Sequence, residues 1–473
     1  DIAAHLGFDD RLDLSRALAD AARTIDATLT QALTTARHVL RRPRNYRRRP
    51  VDLGVVDAGD ELRLSRNQSL DDPGLVLRVG AASTRTGLPV SAATWRRLAS
   101  TPPLPTPWPA TATGDFFALL GSSEHTARVV GDMDTHGLWE RIVPEWVHIR
   151  GLMPREPSHI NTIDVHCLNT VANCAHVSVN VSRPDLLLLA ALFHDIGKGY
   201  NRPHSQVGAE MVTRMAARMG LNPRDRMCVQ TLVAEHTLLA RLAATHDPWD
   251  DAAVDTLLDA LHYDLLTVEL LQELTEADAR ATGPAVWTAH LNHAVTTLAN
   301  RARNALTAVH PHKPHVSTPT DLGLTSSGEL AHVHWRGSDI IPILALIAAK
   351  GWNIVTARIV AERTMVRAEF DVRAMHVGGF NQEEFIQGYK SGVFSTLPTL
   401  EPAATATHWF GSVLEVRTVD RRGALGALLG VIPDYTWCTV ELPGSTMIAR
   451  FHLCGAFDRA AVERSITRVL ATG

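Results

Sequence analysis

The chain has 473 residues, 45% of them hydrophobic and 20% charged, with a formal net charge of −4. That length accommodates two to four domains with substantial cores. A balance this close to neutral gives no case for nucleic acid or a membrane surface as a partner. No run approaches the ~18 apolar residues of a membrane span, and no signal peptide is visible. Five cysteines, Cys167, Cys174, Cys228, Cys438 and Cys454, are odd in number and lack a CxxC spacing. Reduced thiols in a cytoplasmic protein are therefore expected.

In chain order, Leu12, Leu14, Leu18, Ala21, Ile25, Leu29 and Leu33 recur near a 3.6 period and predict one long amphipathic helix over 10–40. Pro43 ends it, within a run of six arginines in ten residues (41–50) that reads as a solvated linker. The chain starts at Asp1 inside helical sequence, so residues 1–42 are expected to be the tail of a longer region. Residues 43–114 mix short strand-like pieces with a helix near 91–99 and a proline-rich spacer at 101–114, and are read as a linker or arm. From 115 to 300 the pattern is almost wholly helical, and 301–327 is read as a polar linker containing His310, His312 and His315. The remainder changes character. Strand, helix, strand, strand is predicted at 332–335, 340–350, 353–360 and 365–372, with Gly351 as a helix stop. The order recurs at 413–418, 423–431, 436–442 and 445–453, followed by a helix at 459–470. Two tandem α+β modules, 328–400 and 401–473, are expected.

The segment Leu186–Gly199 is the most informative. It is an apolar helix ending on the pair His194-Asp195, followed by glycine and lysine. An imidazole and a carboxylate at a helix end can both reach one divalent metal, which makes water nucleophilic at neutral pH. Further candidates occur at helix-compatible distances: His166, His204, His236 and Asp278, in the order H…HD…H…H…D. Neutral imidazoles with carboxylates suit divalent ions that retain open positions. His166, His194, Asp195 and Asp278 suffice for one ion. His204 and His236 are expected to support a second or to touch the phosphate, and Lys198 to neutralise phosphoryl charge. His176 and His262 are read as core histidines. Gly121-Ser122 and Asp132-Met133-Asp134 spell a nucleotidyltransferase-like metal motif, but that motif needs a strand and these aspartates precede helical sequence; an acidic helix face is expected instead.

The strings TIDVHCL, LAALFHDIGKG, HSQVGAE, LVAEHTLLA and LTEADARATGPAVW, in that order, resemble the HD-type domain of bifunctional uridylyltransferase/uridylyl-removing enzymes, and GLWERIVPEW is similar to that family's lead-in. The two C-terminal modules resemble its paired ACT domains, so the resemblance covers nearly the whole chain. It implies a multidomain protein: an all-α HD-superfamily metal-dependent phosphohydrolase domain (115–300) followed by two α+β ACT domains of βαββαβ type. It further implies hydrolysis of a nucleotidyl-tyrosine phosphodiester on a PII signal protein. His166, His194, Asp195, His204, His236 and Asp278 would form a centre for one or two Mg²⁺ or Mn²⁺ ions, with Lys198, His204 and His236 also serving catalysis. The family's nucleotidyltransferase domain has no counterpart before residue 115, so this chain is expected to remove the modification and not to add it. Glu235 stands where a further histidine is expected.

The family's ACT domains imply glutamine as effector at strand-to-helix loops reading roughly D-R-P-G-L. The second module offers Asp420, Arg421, Gly423, Ala424 and Leu425 without the proline; the first offers only Arg336, Gly337 and Ser338. A structural ACT pair mediating homodimerisation is the alternative. Two other functions compete: hydrolysis of a small nucleotide such as an alarmone, disfavoured because ACT sequence follows HD sequence almost directly, and a non-enzymatic nitrogen-sensing scaffold, disfavoured by the intact ligand set.

Overall fold

The computed structural model describes residues 2–40, 48–154, 160–306, 322–327, 330–362, 365–374, 380–390, 397 and 400–470. The chain divides into two compact units. The first comprises Asp1–Arg49, Asp57–Val177 and Arg183–Thr307; the second comprises Pro50–Val56, Ser178–Ser182 and Ala308–Gly473.

The helical unit is organised around Pro184–Phe193. Leucine, alanine and phenylalanine cover this helix all round, so no face of it suits water. All ten of its residues are buried, and the helices Ile163–His176, His204–Arg218, Pro223–Ala234 and Leu265–Thr282 pack against it. Arg183, just ahead of it, forks to Asp185 and to Asp225 at 2.8–2.9 Å. That ties the start of the central helix to the start of Pro223–Ala234. The long helix is found at Arg11–Leu40, but Leu18, Ile25, Leu29 and Leu33 on its apolar stripe are exposed.

Residues 43–114 are not merely a linker or arm. They contain the short strands β1 (Arg49–Asp52), β2 (Val55–Asp57) and β3 (Leu62–Leu64). The helix Leu75–Thr86 is buried along ten residues and packs on Ala110–Leu120. The proline-rich spacer likewise stops early, because Pro109 caps that second helix. The arginine-rich residues 41–47 lie outside the described residues. His176 and His262, expected in the core, are exposed. All five cysteines are free thiols.

The second unit contains one antiparallel sheet of eight strands, β4 (Leu322–Ser327), β5 (Leu330–Gly337), β6 (Trp352–Glu362), β7 (Met365–Ala374), β8 (Thr405–Phe410), β9 (Val413–Val419), β10 (Tyr435–Glu441) and β11 (Thr446–Leu453). Their order is β4-β5-β7-β6-β10-β11-β9-β8. Each half is an α+β module, but its order is ββαββα and not the expected βαββαβ, because an extra strand (β4 or β8) precedes each and a helix ends each; the halves join where β6 pairs β10, with Ile359 opposite Cys438. One apolar core spans both halves, including Trp335, Ile343, Phe370, Leu414, Phe451 and Ile466. The expected strand and helix positions are found. Three elements were not anticipated: β4, which occupies the end of the expected 301–327 linker, β8, and the helix Gln382–Lys390. The linker also begins late, because the helix Ala289–Ala305 runs past 300. His310, His312 and His315 lie outside the described residues.

Two glycines in the helical unit make opposite predictions. A methyl on Gly80 would lie 2.4 Å from Leu119 Cδ1 and 3.3 Å from Met133 Sδ, both fully buried, whereas one on Gly114 meets nothing within 4 Å. Replacing a helical glycine by alanine is worth ~1 kcal/mol in propensity, and overpacking a core costs ~1–3 kcal/mol. Gly114→Ala should raise the denaturant midpoint and Gly80→Ala should lower it. Two shifts of the same sign would contradict the packing described.

Candidate metal centre

The centre forms where five segments of the helical unit meet. His166 sits in the first turn of Ile163–His176, and His194 and Asp195 follow the last turn of Pro184–Phe193. His204 opens the next helix, His236 lies just past the end of Pro223–Ala234, and Asp278 lies in the last turns of Leu265–Thr282. All six expected ligands come together. They form two groups whose ligand atoms lie within 4.8 Å of one another: His166, His194 and Asp278, and Asp195, His204 and His236.

In the first group His166 Nε2 is 3.0 Å from His194 Nε2 and 3.0 Å from Asp278 Oδ1. Asp195 joins the groups. Its Oδ2 faces His166 and His194 at 3.5 and 3.6 Å, and its Oδ1 faces His204 and His236 at 3.5 and 3.7 Å. Backbone carbonyls orient two of the rings. The Nδ1–H of His194 donates to Ala191 O at 2.8 Å, and that of His236 to Val233 O at 2.9 Å. Each leaves Nε2 turned toward the carboxylates, which is the arrangement of a metal-ligating histidine.

Burial disfavours charge on His194, but the neighbouring carboxylates Asp195 and Asp278 outweigh it and lift its pKa to about 9. Burial and the charge of His194 push His236 down to about 4, leaving a neutral imidazole. Burial also works against the two carboxylates, yet His194, helped by the Lys198 ammonium beside Asp195 and by the hydrogen bond of His166 to Asp278, holds both below the usual range. A buried acidic pair that draws a positive charge to one point, ringed by Nε2 atoms, fits a divalent cation.

Lys198 was expected to face a phosphoryl group. Its Nζ lies 2.8 Å from Asp195 Oδ2, so in this structure it neutralises the shared carboxylate. The side chains retaining exposure are His204 (35%), Asp278 (24%) and Lys198 (14%), and they mark the open side of an otherwise buried centre.

Several supports were not foreseen. A methyl on Gly197 would come within 2.2 Å of the His204 carbonyl oxygen and 2.7 Å of Gly208 N, so glycine lets the two ligand-bearing segments touch. Asn173 Nδ2 donates to the Ala277 carbonyl at 2.9 Å, fastening the His166 helix beside Asp278, and Thr282 Oγ1 donates to Asp278 O. A glycine two residues after Asp195 is a legible signal; Asn173 carries none until its partner helix is placed. Asp132 and Asp134 lie on the helix Thr126–Thr135, and Asp134 pairs with Arg150 at 2.6 Å, as expected of a helix face.

The glutamine-loop residues are brought together only in part. Asp420, Arg421, Gly423 and Leu425 line one cavity with Trp352 and Asn353, and Asn353 Nδ2 donates to Asp420 Oδ2 at 3.0 Å. Arg421 turns to its own module, donating to Thr418 Oγ1 and to the carbonyls of Glu401 and Leu470. Ala424 is buried beneath the loop. Arg336 and Gly337 end β5 beside Arg367 and Val366, and with Ser338 they are absent from that cavity's lining.

A ligand that binds only the folded chain stabilises it by ~2.7 kcal/mol at a hundredfold excess over Kd. Mn²⁺ should therefore raise the melting temperature, and EDTA should reverse the rise. Asp195→Asn, which weakens the ligand common to both groups, should abolish the rise. An unchanged Mn²⁺ response in that variant would remove Asp195 from the centre. Gly197→Ala should also lose the response, because a methyl there forces apart the ligand-bearing segments that glycine lets touch.

Comparison with known proteins agrees with this geometry. The family described as "HD domain" matches residues 163–281, the span from the His166 helix to just past Asp278. A bifunctional uridylyltransferase/uridylyl-removing enzyme of Corynebacterium glutamicum is 55% identical over all of this chain, which covers 69% of that protein. Relatives of the same description from Mycobacterium tuberculosis and Streptomyces coelicolor are 35% and 38% identical over 99% and 67% of the chain, covering 66% and 40% of those proteins. Taken with the intact ligand set, these matches show that the chain belongs to the family of bifunctional uridylyltransferase/uridylyl-removing enzymes.

Proposed function

We propose that the helical unit hydrolyses the nucleotidyl-tyrosine phosphodiester of a modified PII signal protein, the uridylyl-removing half of the family's activities. The observation that carries this reading is the convergence of four imidazoles and two carboxylates on one buried point with an open side. His166, His194, Asp195, His204, His236 and Asp278 would hold one or two divalent cations, Mg²⁺ or Mn²⁺, which would supply Lewis acidity toward the phosphate and lower the pKa of water. The chain's own residues do the remainder. Asp195 aligns both groups, and the backbone bonds of His194 and His236 hold their rings in register. Lys198 and His204 keep exposure on the open side, where a phosphoryl group would arrive, and Lys198, which rests on Asp195 Oδ2, would turn its ammonium toward the charge that grows as the ester opens. His236 is too buried to reach a phosphate and serves as ligand. The phenolate of the modified tyrosine leaves readily, its pKa of about 10 being far below that of an alkoxide.

The second unit is read as an ACT pair that senses glutamine. The support is the cavity where the Asp420–Leu425 loop meets Trp352 and Asn353. A homodimer through these modules would use β4 or β8, the two edge strands of the sheet. No helix among the described residues is long and apolar enough to cross a membrane. The reading of a protein that meets PII and glutamine in the cytoplasm rests on the family alone.

Purified chain with Mn²⁺ should release UMP from uridylylated PII and no pyrophosphate from an alarmone. Asp278→Asn should lower the rate by roughly 10²–10³-fold or more, as for loss of one electrostatic stabiliser. Release of pyrophosphate from the alarmone alone would replace this reading with small-nucleotide hydrolysis. Glutamine should give binding heat in calorimetry that Gly423→Val removes, since Gly423 holds a φ of +92° that a β-branched residue resists. Absence of heat at millimolar glutamine would leave the modules structural.

A further inference from the structure

The loop Gly199–Pro203 joins Lys198 to His204, so both its ends are residues on the open side of the centre. Tyr200 is two residues from Lys198, which puts their Cα atoms within about 7 Å. That is on the scale of the reach from a nucleotide's phosphorus to its base. The Tyr200 side chain is not part of a core: it is 42% exposed. One part of its surface is occupied by His148, with ring centroids 4.0 Å apart and planes tilted by 30°. The backing is built tightly. Gly199 has a φ of +90°, and a methyl there would lie 2.8 Å from His148 Nε2 and 2.9 Å from Leu152 Cδ2. Glycine thus lets the loop lie flush on the His148 ring while the next residue sets its own ring against it. An aromatic ring braced from behind, left half-open, and fixed to the rim of a phosphate-cleaving centre is what a planar base needs to stack upon.

Building on the hydrolase reading above, we propose that Tyr200, backed by His148, is the platform on which the nucleobase of the nucleotidyl group stacks while its phosphate lies at the centre. The platform takes a flat heteroaromatic ring and makes no covalent step.

The test uses the full chain with Mn²⁺ and two probes, UMP and ribose 5-phosphate, which differ by the base. Wild-type chain should bind UMP more tightly than ribose 5-phosphate. Tyr200→Ala should weaken UMP roughly 5- to 150-fold, the range of one stacked base, and leave ribose 5-phosphate unchanged. Tyr200→Phe should restore UMP binding, because the ring and not the hydroxyl carries the contact. Equal weakening of both probes would mean that Tyr200 only shapes the loop, and no weakening would mean that the base lies elsewhere; either overturns the proposal. So would failure of the wild-type chain to bind UMP. Release of UMP from uridylylated PII is measured alongside. Base-dependent UMP binding through Tyr200 without any release would uphold the platform and remove the hydrolase reading, so the two failures are told apart.

Discussion

The structure of the helical unit turns on one buried carboxylate. Asp195 presents one oxygen to His166 and His194 and the other to His204 and His236, within 3.5–3.7 Å in each case. A buried carboxylate is costly unless cations and donors surround it, and here the ring of imidazoles and Lys198 does so. The same arrangement explains the opposed behaviour of two neighbouring histidines. His194 lies between Asp195 and Asp278 and is driven toward a positive charge, whereas His236, next to His194, is kept neutral. Charge at this point is arranged for an ion, and the scaffold exists to hold the arrangement.

What holds it is a set of close approaches. The central helix is apolar on every side and therefore lies in the middle, with the ligand-bearing helices around it. Its start is anchored by the Arg183 fork and its end by Gly197, whose missing side chain admits the His204 segment. Asn173 and Thr282 fix the segment that carries Asp278. Rigid elements held by such contacts are how a first shell of ligands stays in place. The loop between Lys198 and His204 inherits this rigidity at both ends, which is why an exposed aromatic on it can act as a fixed surface.

The second unit follows a different logic. Two α+β modules share one eight-stranded sheet and one core, joined by the β6–β10 pairing. The Asp420–Leu425 loop meets the start of β6 across that junction, so a ligand there would touch residues of both modules. A site built at such a seam responds to any change in how the two halves fit.

Much of this was legible beforehand, for reasons that differ by element. The candidate metal ligands are readable as a set because imidazole and carboxylate have few alternatives on apolar helices, and the order H…HD…H…H…D survives any uncertainty in helix ends. Strand positions in the modules followed from alternation and from turn residues such as Gly351 and Gly423. Residues 74–79 (GLVLRV) read as strand-like because their apolar run is short and rich in leucine and valine, yet they begin the buried helix Leu75–Thr86, where Asp72 and Asp115 meet Arg78. The strands β4 and β8 were missed because each is recognisable only by the neighbour it pairs with. Distance in three dimensions alone shows that Asp195 bridges both groups, that Lys198 rests on it, and that Asn173 reaches Ala277. Composition and spacing name which side chains can bind an ion, because that depends on chemistry carried by each residue. Which of them share it depends on helix packing, a property of residues far apart in the chain.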